Sequence, residues 1–270
     1  MKTRIIAAAV LVPVLLLMVL VVDKMIAAVA MGLILAIAAY ELLYRTRLVM
    51  RPRLVIYASG MAFATAMWSY FESVHAYFLL LLIVYFALLF AEIMMDHVKV
   101  RIEMIGLCFV AGLIIPYMLS AIVRIRAMDE GVLLILTPFI LAFLSDSGAY
   151  FVGVFFGKHK LAPTISPKKT VEGLFGGFAA AIVGMMIFGM VLSFGFDLQV
   201  NYWYGLIYGL VGSAVSVMGD LSFSAVKRQV GIKDYGNLIP GHGGVLDRFD
   251  SMVFVAPVTE LLLLLIPFAE

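Results

Sequence analysis

Residues 171–196 read Val-Glu-Gly-Leu-Phe-Gly-Gly-Phe-Ala-Ala-Ala-Ile-Val-Gly-Met-Met-Ile-Phe-Gly-Met-Val-Leu-Ser-Phe-Gly-Phe, with no charge after Glu172. A run of about 20 apolar residues is long enough to cross a bilayer as a helix. In lipid the backbone must satisfy its hydrogen bonds within the segment, and nothing here alternates like a barrel strand, so the run reads as a transmembrane helix. Working outward, similar runs fall near residues 5–22, 25–44, 54–71, 76–95, 104–123, 132–156, 203–226 and 250–268. The expected fold is therefore all-α, a polytopic integral membrane helical bundle of about nine transmembrane helices. Composition agrees: 64% of residues are hydrophobic, 13% are charged and the mean hydropathy is +1.12. Soluble domains use about 45–50% apolar residues, so a water-soluble class is excluded.

Orientation follows from Lys and Arg, which are enriched in short cytoplasmic loops. With the N-terminus in the cytoplasm, Lys2, Arg4, Arg45, Arg47, Arg51, Arg53, Lys99 and Arg101 fall inside, as do Lys158, Lys160, Lys168, Lys169, Lys227, Arg228, Lys233 and Arg248. Only Lys24, Arg124 and Arg126 are left outside, and Glu270 ends outside as well. The start of the chain resembles a signal peptide, with Ala28-Val29-Ala30 as a cleavage site. Its apolar run exceeds the roughly 7–15 residues of a signal core, so it reads as a retained first helix. Cys108 is the only cysteine, which excludes an intrachain disulfide or a cysteine metal site and suits a small core residue.

No linker, low-complexity segment, soluble domain or convincing internal repeat interrupts the chain. It is expected to form a single membrane domain over 1–270, with scaffold helices in 1–130 and catalytic helices and cytoplasmic loops in 131–270. Glu41 and Glu92 lie near cytoplasmic ends of spans, where nearby Arg or water accounts for them. His75 and His97 read as interfacial residues.

An acid buried in a span is expensive and marks function by default. Asp146 lies about ten residues, roughly 15 Å, above the cytoplasmic end of its helix, and Asp220 roughly 10 Å above Lys227. Asp247 and Asp250 open the last run at i and i+3, so both are expected on one helix face. These acids share one depth although they come from three segments. Ser224 and Lys227 follow Asp220 on one stripe. Asp220, Asp247 and Asp250 are therefore the expected ligands of Mg²⁺, which takes a few carboxylates and completes its shell with water and substrate phosphate. Glu260, deep in the last run, reads as a helix-packing residue.

Two loops supply phosphate-binding chemistry. Pro240-Gly241-His242-Gly243-Gly244 allows successive N–H groups to face one anion, and Lys227, Arg228, Lys233 and Arg248 flank it. His242 suits a phosphate oxygen or a base, and equally a structural place between glycines. Residues 157–172 set Thr164, Ser166 and Thr170 around Lys168 and Lys169, between Pro163 and Pro167, and are expected to contact a polyphosphate. Glu172 begins the next helix, where an acid suits the macrodipole.

Ser224-x-x-Lys227-Arg228, then Lys233-Asp234, then Pro240-Gly-His-Gly-Gly-Val-Leu-Asp-Arg-Phe-Asp250 resembles the signature of the phosphatidate cytidylyltransferases, the CDP-diacylglycerol synthases. Asp146-Ser-Gly-Ala-Tyr150 and Ser166-Pro-Lys-Lys-Thr-Val-Glu-Gly173 resemble the same family, so the likeness is specific over about residues 145–250. It implies transfer of the cytidylyl group from CTP to phosphatidate, giving CDP-diacylglycerol and pyrophosphate with Mg²⁺. Asp220, Lys227, Asp247 and Asp250 are then the catalytic set. Asp146, Ser166, Lys168, Lys169, Thr170, Ser224, Arg228, Lys233, His242, Gly243, Gly244 and Arg248 would bind substrate.

Such an enzyme is expected in a bacterial cell membrane with its site facing the cytoplasm, in contact with the bilayer and with no nucleic-acid partner. Gly173-x-x-x-Gly177 and Gly205-x-x-x-Gly209 allow close helix approach within a chain or in a homodimer. Two other readings stay open. A CTP-using lipid kinase would transfer the γ-phosphoryl group, and an ion-coupled transporter would also bury acids, though near the midplane and with repeat symmetry. The pattern of the CDP-alcohol phosphotransferases, Asp-x-x-Asp-Gly with two further aspartates, is absent.

Overall fold

The computed structural model describes residues 20–71, 75–238 and 243–269. In chain order these form α1 (Lys24–Tyr40), α2 (Pro52–Tyr70), α3 (His75–Met95), α4 (Ile102–Phe109), α5 (Ile115–Leu119), α6 (Ala121–Ala127), α7 (Gly131–Leu134) and α8 (Leu136–Phe156). Strands β1 (Lys160–Ala162) and β2 (Ser166–Thr170) follow, then α9 (Val171–Phe196), α10 (Tyr202–Val230), α11 (Leu246–Phe249) and α12 (Met252–Leu265).

Six of the expected spans are helices long and apolar enough to cross a membrane: Lys24–Arg45, Tyr77–Met95, Ile102–Ala127, Gly131–Phe156, Val171–Phe196 and Tyr202–Val230. The run at 54–71 forms α2, and the run at 5–22 lies almost wholly outside the described residues. The last run is shorter than expected. Its helix α12 has 14 residues, about 21 Å at 1.5 Å per residue, against a hydrocarbon core of about 30 Å.

The helical architecture holds, with a short β hairpin added between α8 and α9. Residues 160–170 form an antiparallel hairpin, with Lys160 opposite Thr170 and Ala162 opposite Ser166. Its strands are too short and too polar to announce themselves by alternation. Pro167 is tolerated because a two-stranded ribbon consists only of edges.

The chain divides into two compact units, Met1–Ala127 with Val230–Phe249, and Met128–Gln229 with Asp250–Glu270. In the first unit, α1 is capped by Asp23, whose Oδ1 accepts from Met25 N at 2.8 Å, and packs on α2. After Tyr40 the helix widens into a π turn over Glu41–Arg45, a departure that often sits at functional positions. A second π turn, Val110–Ile114, links α4 to α5. Gly112 there lies so close to α2 that a Cβ would stand 2.9 Å from Ala58 O. Cys108 is fully buried, as expected of a core residue. On α3, Leu79, Leu80, Ile83 and Phe86 are exposed; an outward apolar face of this kind suits lipid.

In the second unit α8 and α9 pack along most of their lengths. Glycines make this possible: a Cβ on Gly173 would stand 2.6 Å from Ala149 O, and one on Gly177 2.9 Å from Ser145 O. Ser145 and Ser213 bond through their hydroxyls at 2.8 Å in the same buried region. Gly209 likewise lets α10 reach the α9 backbone, where a Cβ would stand 2.6 Å from Ile182 Cα. Both small-residue spacings are thus used for packing within the chain.

Gly177→Ala is expected to overpack this contact, at about 1–3 kcal/mol, and to lower the thermal unfolding midpoint of detergent-solubilised protein. Gly60→Ala, with open space around its Cβ, is expected to leave the midpoint unchanged or raise it, since Ala favours helix by about 1 kcal/mol over Gly. Equal behaviour of the two variants would contradict glycine-mediated packing.

Candidate active site

In the second unit, α10 carries Asp220, Ser224 and Lys227 along one stripe, as their spacing requires. Ser224 Oγ donates to Asp220 Oδ1 at 3.4 Å. Gly219, one residue earlier, meets the turn that precedes α12: a Cβ there would stand 2.9 Å from both Asp250 O and Ser251 Cα. A backbone approach this close brings Asp220 and Asp250 near each other. It depends on a glycine that the motif reading passed over.

Each of these acids meets a lysine. Asp220 Oδ2 pairs with Lys169 Nζ, and Asp250 Oδ2 lies 3.6 Å from Lys227 Nζ. The Lys227 and Asp250 side chains are only 10% and 13% exposed, so each charge depends heavily on the other. Asp146 and Asp220 are both close enough to Asp250 for their negative charges to act on it. The structure therefore gathers Asp146, Lys169, Asp220, Ser224, Lys227 and Asp250 in one region of this unit.

Lys168 and Lys169 have different surroundings. They are neighbours on β2, where successive side chains point to opposite faces; Lys169 reaches Asp220 while Lys168 is exposed. Ser166 sits at the start of β2, opposite Ala162. Thr170 has a local task as N-cap of α9, with its Oγ1 accepting from Gly173 N at 3.1 Å. Arg228 Nε donates to Ile165 O at 3.2 Å and so holds the hairpin turn.

Glu172 was expected only to complement the helix end. It also straps the hairpin: Oε2 accepts from Lys158 N at 3.0 Å and from His159 N at 3.2 Å, while His159 Nδ1 lies 2.6 Å from Oε1.

In the first unit, the segment after α10 is organised by two carboxylates. Asp247 Oδ2 accepts from Tyr235 N at 2.8 Å and from Gly244 N at 2.9 Å. Glu41, 3% exposed, reaches across from the π turn and its Oε2 accepts from Leu246 N at 2.9 Å. Neighbouring Arg45 donates to Asn237 Oδ1 at 2.5 Å. Gly243 has φ +84°, a left-handed conformation open to glycine, and a Cβ there would stand 2.9 Å from Asp247 Oδ2. Lys233 and Arg248 are exposed. His242 lies outside the described residues.

These contacts change two expectations. Asp247 and Asp250 were expected on one face of a continuous helix, but α11 ends at Phe249 and α12 begins at Met252. Asp250 Oδ1 meanwhile accepts from Ser251 N at 2.9 Å. The Gly244 N–H, expected to face a phosphate, instead faces Asp247. Glu41 was expected to meet a nearby arginine or water; Arg45 does act on it, but its backbone partner Leu246 was not foreseen. Its one available signal was an acid within an apolar run. Glu92 does meet an arginine, at 3.7 Å from Arg53.

No three acidic, histidine or cysteine side chains among the described residues form a ready metal cluster. Asp220 and Asp250 nevertheless fit Mg²⁺. It binds through one or two carboxylates with water and substrate phosphates, and these two hard-oxygen groups already attract cationic partners.

Residues 2–266 match the model of the cytidylyltransferase family. A phosphatidate cytidylyltransferase of Bacillus subtilis is 37% identical over 247 residues, covering 87% of this chain and 87% of the relative. One from Staphylococcus epidermidis is 46% identical over 136 residues, 50% of this chain and 51% of the relative. One from Staphylococcus aureus is 45% identical over 137 residues, again 50% and 51%. The chain spans about half the length of the staphylococcal relatives in these matches.

Glu172→Gln is expected to loosen the hairpin, since a carboxylate accepting several N–H bonds is replaced by a neutral amide. Trypsin should then cleave after Lys158 and Lys160 at least several-fold faster in the detergent-solubilised variant, with little change in the unfolding midpoint. An unchanged cleavage rate would remove the strap assignment.

Proposed function

The chain belongs to the cytidylyltransferase family, and on that premise we propose that it transfers the cytidylyl group of CTP to phosphatidate, giving CDP-diacylglycerol and pyrophosphate. The observation that carries this reading is the double ion pair of Asp220 with Lys169 and Asp250 with Lys227. It provides both signs of charge that a metal-assisted reaction between two phosphates needs.

A phosphate monoester has a second pKa near 6 and is largely dianionic at neutral pH. Its oxygen attacks the α-phosphorus of CTP, an O–P bond forms, the bond from the α-phosphorus to the bridging oxygen breaks, and pyrophosphate leaves with that oxygen. No strong base is needed, so the protein's work is alignment and charge neutralisation. Lys169 and Lys227 supply positive charge to the phosphates, and Ser224 holds Asp220 in place. Asp220 and Asp250 would hold Mg²⁺, which would neutralise charge on the nucleotide phosphates. Asp247 shapes the loop that bears Gly243, Gly244 and Arg248.

The substrate accounts for the fold. Phosphatidate keeps its acyl chains in the bilayer while CTP arrives from water, so the acids belong near headgroup depth. The distribution of Lys and Arg supports a cytoplasmic N-terminus and a cytoplasm-facing site in a bacterial cell membrane.

The test incubates protein in liposomes with Mg²⁺, phosphatidate and CTP labelled separately at the α- and γ-phosphates. The expected outcome is α-label in lipid with pyrophosphate release, abolished by a chelator, and an Asp250→Asn variant slower by about a hundredfold or more. γ-Label in lipid with CDP release would identify a lipid kinase. No labelled lipid from folded protein would reopen transport.

A further inference from the structure

We infer that Glu41 is a positioning residue for the Gly243–Asp247 loop, an inference that rests on the proposed cytidylyl transfer for its effect on turnover. The mechanism above makes no use of this side chain. Its carboxylate is nevertheless almost completely enclosed in the first unit, with Arg45 near enough for its charge to act on it. Its hydrogen bonds come from backbone: Leu246 N donates to Oε2 at 2.9 Å and the Val245 backbone also donates.

The surrounding chain is built to admit this group. A Cβ on Gly236 would stand 2.7 Å from Glu41 Cδ, and one on Gly244 would stand 2.6 Å from Cδ and from Oε1. Two glycines on separate stretches of the loop therefore close upon one carboxylate, where any side chain would collide. On the other side the group is aimed by the π turn at Glu41–Arg45, which re-registers the end of the helix.

Together Glu41 and Asp247 satisfy successive backbone donors of the loop: Gly244 N bonds Asp247, while Val245 and Leu246 bond Glu41. Consecutive N–H groups in a glycine-rich turn form an anion-binding concavity. Here the anion in it belongs to the chain. The N–H groups of Gly244, Val245 and Leu246 are thus already engaged by the chain's own carboxylates and not open to a phosphate. Glu41 holds the loop in one conformation so that Gly243, Asp247 and Arg248 keep their places.

Gln at position 41 would keep the size and one acceptor but turn an amide donor toward backbone donors, so Glu41→Gln separates charge from bulk. Gly236→Ala, which keeps Glu41 but displaces its carboxylate, is the companion variant and guards against a Glu41 variant that fails to fold. Both are read by hydrogen–deuterium exchange of the peptide covering residues 243–249, by unfolding midpoint and by steady-state kinetics of full-length protein in detergent. Exchange in that peptide is expected to rise about tenfold or more, as a buried donor loses its partner. Turnover should fall by a similar factor, with a smaller change in the KM for CTP and unchanged exchange in α8–α9. Unchanged exchange in residues 243–249 would overturn the inference, as would faster exchange with full turnover. A wild-type protein that transfers no cytidylyl group would instead defeat the proposed function, while the exchange data would still decide whether Glu41 holds the loop.

Discussion

A carboxylate enclosed within an apolar bundle is tolerable only when a positive charge or a set of hydrogen-bond donors meets it. This constraint shapes both compact units. In one, Asp220 and Asp250 are met by Lys169 and Lys227. In the other, Glu41 and Asp247 are met by backbone N–H groups of a glycine-rich loop. The first solution leaves charges that can be re-partnered by a metal or a phosphate. The second consumes donors and fixes a shape.

Glycine is the means by which both solutions are reached. Gly219 lets α10 touch the Asp250–Ser251 backbone, and Gly236 and Gly244 close on Glu41. Gly173 and Gly177 bring α8 against α9, whose first residue directly follows the hairpin that bears Lys169. Local chemistry therefore depends on helix spacing: widening a helix contact by one methyl group would move the residues that answer the charges. The hairpin extends the same logic, since Glu172 and Arg228 fasten its two ends to α9 and α10.

Much of this was legible in the chain. Uninterrupted apolar runs such as 171–196 declare membrane helices, and Asp220, Ser224 and Lys227 fall on one stripe by spacing alone. The acids at 146, 220, 247 and 250 were matched by depth, and of these Asp146 and Asp220 are near enough to act on Asp250. The hairpin was hidden because Ser-Pro-Lys-Lys-Thr shows no apolar alternation. The loop contact of Glu41 was hidden because it is made to backbone groups some 200 residues away, and backbone donors leave no mark on side-chain pattern. The break between α11 and α12 was likewise invisible, because Ser251 and Met252 carry no stop signal and an apolar run hides a short turn.

The most direct test of the charge-pair account is an experimental structure of the protein in a lipid nanodisc with Mg²⁺ and a CTP analogue whose bond between the α- and β-phosphorus atoms is not cleavable. The account predicts cation density against Asp220 and Asp250, with Lys169 and Lys227 turned toward phosphate oxygens. A nucleotide bound elsewhere, with both lysines still paired to their aspartates, would contradict it.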